Sequence, residues 1–205
     1  MRRSSAMRQA VAVAAMLAAV SACTEQRQPG SLPPALHAQL QLGLEQSSTE
    51  FERRVFRDAL AMGGISQKDY EEAFTLYRRC VRSAGLIEHY QQLPSGIYRI
   101  VGSNARTQKQ MESAAKKIES CADGTTMRIE ATYRMQLFNP NGEKDLLKLA
   151  AECLRDKGEV GPQYDGKRLR EDLREFQTQQ VGGKPAAHLR SPAAIDCLYN
   201  VGFAI

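Results

Sequence analysis

Four cysteines behind an export signal constrain this chain more than any other feature. Arg2, Arg3 and Arg8 stand at the front with no acid, and Gln9–Val20 is almost wholly Ala, Val, Leu and Met before small residues lead to Cys23. A basic start, a short apolar run and a small-residue cleavage site make a secretory signal. The apolar run is well short of the roughly 20 residues that cross a bilayer, which argues against a permanent span. Cys80, Cys121, Cys153 and Cys197 follow. In an oxidising compartment an even set of cysteines reads as disulfides. Four cysteines allow three connectivities. The sequential pairing, Cys80–Cys121 and Cys153–Cys197, is the preferred one, and the other two stay open. Each sequential bridge closes a loop of about 40 residues, worth about 4 kcal/mol in the chain-entropy model. No Cys-x-x-Cys spacing occurs and no His lies beside a Cys, so neither a zinc site nor a redox motif is expected.

Val20-Ser21-Ala22-Cys23 resembles the lipobox of bacterial lipoproteins. The resemblance implies that residues 1–22 are a removed signal peptide and that Cys23 carries a diacylglyceryl thioether. It implies a chain anchored in the cell membrane and facing away from the cytoplasm. A plainly cleaved signal with an incidental cysteine is the competing reading. Arg2-Arg3 is followed by Ser-Ser-Ala, a poor match to twin-arginine export, and Met7 offers a second start. The signal holds three of the 28 Lys and Arg and none of the 23 Asp and Glu, so a formal charge of +5 falls to +2 behind it. That is no nucleic-acid footprint. Trp is absent, so the stacked platforms of many sugar-binding modules are not evident.

Residues 23–46 read as the lipidated Cys and a flexible tether, because Thr24–Pro34 contains Pro29, Pro33 and Pro34. Ala35–Leu44 has the leucine spacing of a short helix, weakened by Gly43. Residues 47–205 read as one helical domain. Ser47-x-x-Glu50 suggests a capping box, with Phe51, Val55, Ala59 and Met62 on the buried face and Gly63-Gly64 at the end. Ser66 opens the next helix, Ile65 and Tyr70 form a hydrophobic staple, and Tyr70, Ala73, Phe74, Tyr77, Cys80 and Ala84 face inward. Asp58, Gly63, Ile65 and Asp69 fall in EF-hand register, but Leu60 and Met62 stand where calcium needs side-chain oxygens. A helix–Gly–helix corner is the expectation. Two β-prone runs around Leu93-Pro94-Ser95-Gly96 predict a hairpin near 86–101.

Ser103 or Asn104 is expected to cap a third helix, with Met111, Ala115, Ile118 and Ala122 on its inner face. Residues 125–138 carry both a strand alternation and a helical stack of Ile129, Tyr133 and Leu137; helix through Phe138 is the reading adopted. Gly124 inside it costs about 1 kcal/mol. Glu143–Lys157 is amphipathic, with Leu146, Leu149, Ala150, Cys153 and Leu154 on one side and Gly158 after it. Asp165 caps a polar helix to about Gln179 with Leu169, Leu173 and Phe176 inward; Val181–Leu189 reads as loop. Ser191-Pro192 opens the last helix, which carries Ile195, Cys197 and Leu198. The fold class is mainly α with a small β-hairpin, an α+β, disulfide-stapled helical domain.

Asp69-Tyr70-Glu71-Glu72-Ala73-Phe74 with Cys80 and Gly85, then Cys121, Tyr133, Asn139-Pro140, Cys153-Leu154-Arg155 with Gly158, and Cys197, together resemble a group of four-cysteine lipoproteins and secreted proteins of high-GC Gram-positive bacteria. The resemblance implies helix after Gly124 and the sequential disulfides. It implies no activity.

Catalytic signatures are lacking. There is no Gly-x-Ser-x-Gly elbow, His-Glu-x-x-His, phosphate loop or dinucleotide fingerprint, and the histidines are His37, His89 and His188. No catalytic residue, metal ligand or cofactor is assigned. Glu71-Glu72 and Glu171-Asp172 are paired acids, but helix neighbours do not face each other, so solvated charge is expected. Arg78, Arg79 and Arg82, with Lys116-Lys117 and Lys167-Arg168-Arg170, are candidates for a basic surface toward anionic envelope polymers. The expected function is a non-catalytic binding module at the cell envelope. Its partners would be the membrane, through the lipid, and an envelope protein, peptide or polymer, with no nucleic acid. The alternative is an envelope hydrolase using carboxylates brought together by folding.

Overall fold

Pro34 opens the first helix at the position where its fixed φ and missing N–H cost nothing. The computed structural model describes residues 32–178 and 187–203; the expected signal peptide, Cys23 and the front of the expected tether lie outside them. The chain runs α1 (Pro34–Glu45), α2 (Glu50–Met62), α3 (Gln67–Ser83), β1 (Glu88–Gln92), β2 (Tyr98–Ser103), α4 (Gln108–Ala122), α5 (Met127–Phe138), α6 (Leu146–Asp156), α7 (Gly166–Thr178) and α8 (Pro192–Asn200), with a 3₁₀ turn at Ala187–Arg190 before α8. The fold is therefore mainly α with one antiparallel hairpin.

Three expectations are corrected at the front. The short helix read over Ala35–Leu44 is present as Pro34–Glu45, but it belongs to the core and not to a flexible tether, because Leu36, Leu40 and Gly43 bury one face. Gly43 is small for a reason: a Cβ there would sit 2.3 Å from Cε1 of buried Phe56 on α2. The cap of α2 is Thr49, not Ser47, since the Ser47 hydroxyl donates back to the Gly43 carbonyl at 2.7 Å to finish α1. Glu52 N donates to Thr49 Oγ1 at 3.2 Å, and Ser48 N donates to Glu52 Oε2 at 2.9 Å. Met62 is 79% exposed, and Glu52 takes an inward place, reached by Arg128 at 3.2 Å.

Ser66 caps α3, and Ile65 and Tyr70 are both buried, as a staple requires. Arg54 gathers the acids of the EF-hand-like stretch, at 3.9 Å from Asp58, 3.1 Å from Asp69 and 2.9 Å from Glu72. The corner is held by an arginine. β1 and β2 pair with Gln92 opposite Tyr98 and one irregularity between His89 and Tyr90.

α4 is capped by Thr107 in a capping box with Gln110, not by Ser103 or Asn104. Asn104 is occupied closing the hairpin: Ile87 N donates to its Oδ1 at 3.1 Å, and its own N–H donates to the Ile87 carbonyl at 2.9 Å. The buried face of α4 is Ala114 and Cys121, while Met111 is 49% exposed and Ala115 is also outside. Helix continues to Phe138, but Gly124 (φ +75°) divides it into α4 and α5. The Gly124 carbonyl accepts from Thr49 Oγ1 at 2.8 Å, and a Cβ at Gly124 would meet Thr49 Cγ2 at 2.6 Å.

The core falls into two halves. In the N-terminal half, Leu40, Phe56, Tyr70, Ile97, Ile129 and Tyr133 pack together, and Phe74, Tyr77, Val81 and Leu86 extend this core under the hairpin. In the C-terminal half, Ala151, Leu154, Leu169, Leu189, Cys197 and Leu198 form a second core. Cys80–Cys121 ties α3 to α4, and Cys153–Cys197 ties α6 to α8, so each disulfide stays within one half. The halves meet at Phe138, which packs against both cores, and at Tyr199, which packs against the first. The hairpin tip adds a polar link. Ser95 Oγ donates to Asp196 Oδ1 at 2.5 Å, and Asn200 Nδ2 donates to the same oxygen at 2.7 Å.

Candidate functional site

The turn at Gly124 redirects the chain into α5, which packs on α1, α2 and α3 and shares a hollow with β2. The space left between β2, α3, α4 and α5 is a cleft of about 640 Å³, its open mouth included. Phe74 and Tyr98 form its floor, stacked at 4.0 Å between centroids with an interplanar angle of 1°. Tyr77 and Tyr199 add two more rings, the latter from α8 in the other half. Ile100 on β2 and Met127 on α5 stand at the mouth, 41% and 43% exposed.

Two charged groups line the cleft, Glu130 and Arg134, one helical turn apart on α5. Their closest approach is 3.9 Å, and Glu130 Oε2 accepts from the Tyr70 phenol at a long 3.4 Å. Burial pushes the Glu130 carboxyl above its ordinary range, and Arg134 and Tyr70 only partly oppose this. Arg134 is committed elsewhere as well: Nη2 donates to the Tyr199 carbonyl, and its guanidinium lies 4.7 Å from the Tyr199 ring centroid. Tyr70 accepts from the Tyr98 N–H at 2.9 Å, which links the carboxylate to the edge of β2. Burial, and then the Glu130 charge, push the Tyr70 phenol far up, so it stays a proton donor.

The paired acids are split by the fold. Glu71 and Glu72 are exposed, as expected, the first accepting from Gln67 and the second paired with Arg54. Glu171 is exposed but Asp172 is 2% exposed, contrary to the solvated expectation. Tyr164 OH donates to Asp172 Oδ2 at 2.7 Å, His188 Nε2 lies 3.0 Å from that oxygen, and Arg168 Nε is 3.3 Å from the other. Among the described residues no hydroxyl or thiol hydrogen-bonds to the His188 ring, so the group ties α7 to the 3₁₀ turn and lacks a nucleophile. His89 is exposed on β1.

The basic candidates do not form one set. Arg78, Arg79 and Arg82 line one depression with Thr75 and Ser83, Arg78 also lying over the Phe74 and Tyr90 rings at 5.8 and 5.3 Å. Lys167, Arg168 and Arg170 belong to α7 in the other half. No group of three or more metal-ligating side chains occurs among the described residues. The cleft was not assembled from the sequence because its walls come from five separate elements. Its one local signal was Glu130 and Arg134 at helical spacing, in the stretch whose periodicity also fitted a strand. No family model matches this chain, and no curated protein or solved structure matches it either.

Proposed function

We propose that this chain is a non-catalytic binding module, held on the extracytoplasmic face of the cell membrane by a lipid on Cys23. Its cleft takes an apolar group of an envelope protein, peptide or polymer. The observation that carries this reading is the cleft: four aromatic rings and two half-exposed aliphatic side chains around one carboxylate and one guanidinium. A concave, mostly apolar site with a few convergent polar groups is the usual form of a binding pocket. A hydrolase working through paired carboxylates would need another place, because Glu130 is the one carboxylate lining this cleft. Glu152, Asp156 and Asp196 line a separate hollow beside Phe138 and Cys153, where Asp196 is already taken up by Ser95 and Asn200.

The cleft is tested by placing a photoreactive benzoylphenylalanine at Met127 in the full-length chain and irradiating isolated envelopes. A discrete adduct is expected from Met127 and none from Met62, which is more exposed and outside the cleft. Equal labelling at both positions would remove the cleft from the account. The anchor is tested separately by mass spectrometry of the native protein, which should begin at a lipid-modified Cys23. An intact leader with an unmodified Cys23 thiol refutes it.

A further inference from the structure

We infer that the occupant of the cleft is an extended segment of polypeptide that adds to the hairpin as a third strand along β2. This rests on the cleft being a binding site and names the class of ligand. Among the described residues the sheet has two strands, so the far edge of β2 pairs with no strand there. In an antiparallel pair, successive residues alternate between backbone groups that face the partner and groups that face away. Leu93 N donates to the Ile97 carbonyl at 2.8 Å, which puts Ile97, and Arg99 two residues on, in the inward phase. Tyr98 and Ile100 then hold the outward phase. The Tyr98 N–H agrees: it bonds to the Tyr70 phenol and not to β1. That phenol reaches Glu130 in the cleft wall, so the outward edge of β2 is the edge that borders the cleft.

Tyr70 occupies the first donor of this edge. The next groups, the N–H and carbonyl of Ile100, have no hydrogen bond to a described residue outside the hairpin, and the Ile100 side chain lines the mouth. An edge strand left open beside an apolar hollow is the arrangement used in strand addition: main-chain bonds supply affinity and the hollow reads alternate side chains. The charges fit the same occupant. Glu130 and Arg134 are opposite and adjacent, so the cleft carries no net formal charge and suits a neutral, dipolar peptide backbone better than an ion. The ligand is a short extended peptide with an apolar or aromatic residue at every second position.

The test uses the purified full-length chain with both disulfides formed and a library of capped pentapeptides with Phe, Tyr or Leu at the centre. N-acetylphenylalanine amide is the small probe. The tightest pentapeptide is expected to bind better than the small probe, and one position in its N-methyl scan, the amide facing the Ile100 carbonyl, should weaken it about fivefold. Ile100→Pro removes an outward N–H without a ladder bond, so the hairpin should survive while pentapeptide binding falls about tenfold or more. Ala131→Arg blocks the cleft from exposed α5 without touching the hairpin and should abolish binding of both probes. Circular dichroism of each variant establishes that it is folded. Equal affinities for both probes, unchanged by N-methylation and by Ile100→Pro but lost in Ala131→Arg, overturn strand addition and leave the cleft. No binding of any probe overturns both. A wild-type dimer that Ile100→Pro converts to monomer gives the edge to a second copy and also overturns the peptide.

Discussion

Replacing Gly43 by Ala sets two effects of opposite sign against each other. In an exposed helix interior, Gly→Ala stabilises by about 1 kcal/mol, because glycine loses more backbone freedom on folding. Here the new Cβ would lie 2.3, 2.5 and 2.7 Å from three atoms of the Phe56 ring. Carbon pairs prefer about 3.5–4.0 Å, so each contact overlaps by roughly an ångström. Phe56 is fully buried and cannot swing into solvent. Either α1 lifts from α2 or the ring leaves its rotamer, at about 1–3 kcal/mol or more. The steric effect wins. Gly43→Ala is expected to lower stability by about 1–2 kcal/mol, which lowers Tm by about 2–8 °C for a domain of this size. Thermal and urea unfolding followed by far-UV circular dichroism measure it. Phe56→Leu supplies the control: with the ring removed, Gly43→Ala should become neutral or stabilising, a coupling of about 2 kcal/mol in the double-mutant cycle. If Gly43→Ala raises Tm in the wild-type background, α1 does not pack on α2 as described.

Replacing both Cys153 and Cys197 by Ala opens a bridge of sequence separation 44 and should cost about 4 kcal/mol, read as a shift of the urea midpoint. Asp196→Ala strips Ser95 and Asn200 of their shared acceptor and should cost about 2–3 kcal/mol, with faster amide exchange at the hairpin tip. Glu130 binds its proton more tightly folded than unfolded, so the folded chain holds more protons between the ordinary value of 4.5 and the raised one. Stability therefore falls as pH rises through that window and stays lower above it. Glu130→Gln should raise Tm near neutral pH and leave it almost unchanged below the window; an equal gain at both pH values contradicts the burial argument.

Much of the scaffold was written locally. The staple of Ile65 on Tyr70, the hairpin and the Ser191-Pro192 start are all features a short stretch can encode, whereas the disulfide pairing, across 41 and 44 residues, was only a preference among three connectivities. What escaped depends on a distant partner. Gly43 weakens the helix read over 35–44 and Pro34 suggests a tether, until Phe56 explains the glycine and the helix N-terminus explains the proline. Ser47 looks like a cap, but its hydroxyl serves the Gly43 carbonyl, which passes the cap on to Thr49. Met62 and Met111 continue a helical period past the edge of the core. Asp172 looks solvated beside Glu171, and only Tyr164 and His188 make it a buried acceptor. The cleft escaped most completely: Tyr199 is more than 60 residues from every other lining residue, and the pairing of Glu130 with Arg134 required knowing that 127–138 is helix.

Since both covalent staples close within a half, oxidation does nothing to hold the seam between the halves. Neither disulfide would resist a separation of α8 from α5, and such a separation would carry Tyr199 away from Arg134. One wall of the cleft would then be gone with both disulfides still closed. The wall of the cleft that Tyr199 supplies is thus fastened by non-covalent contacts, the Arg134 bond to its carbonyl among them, and thiol oxidation alone does not set whether it is in place.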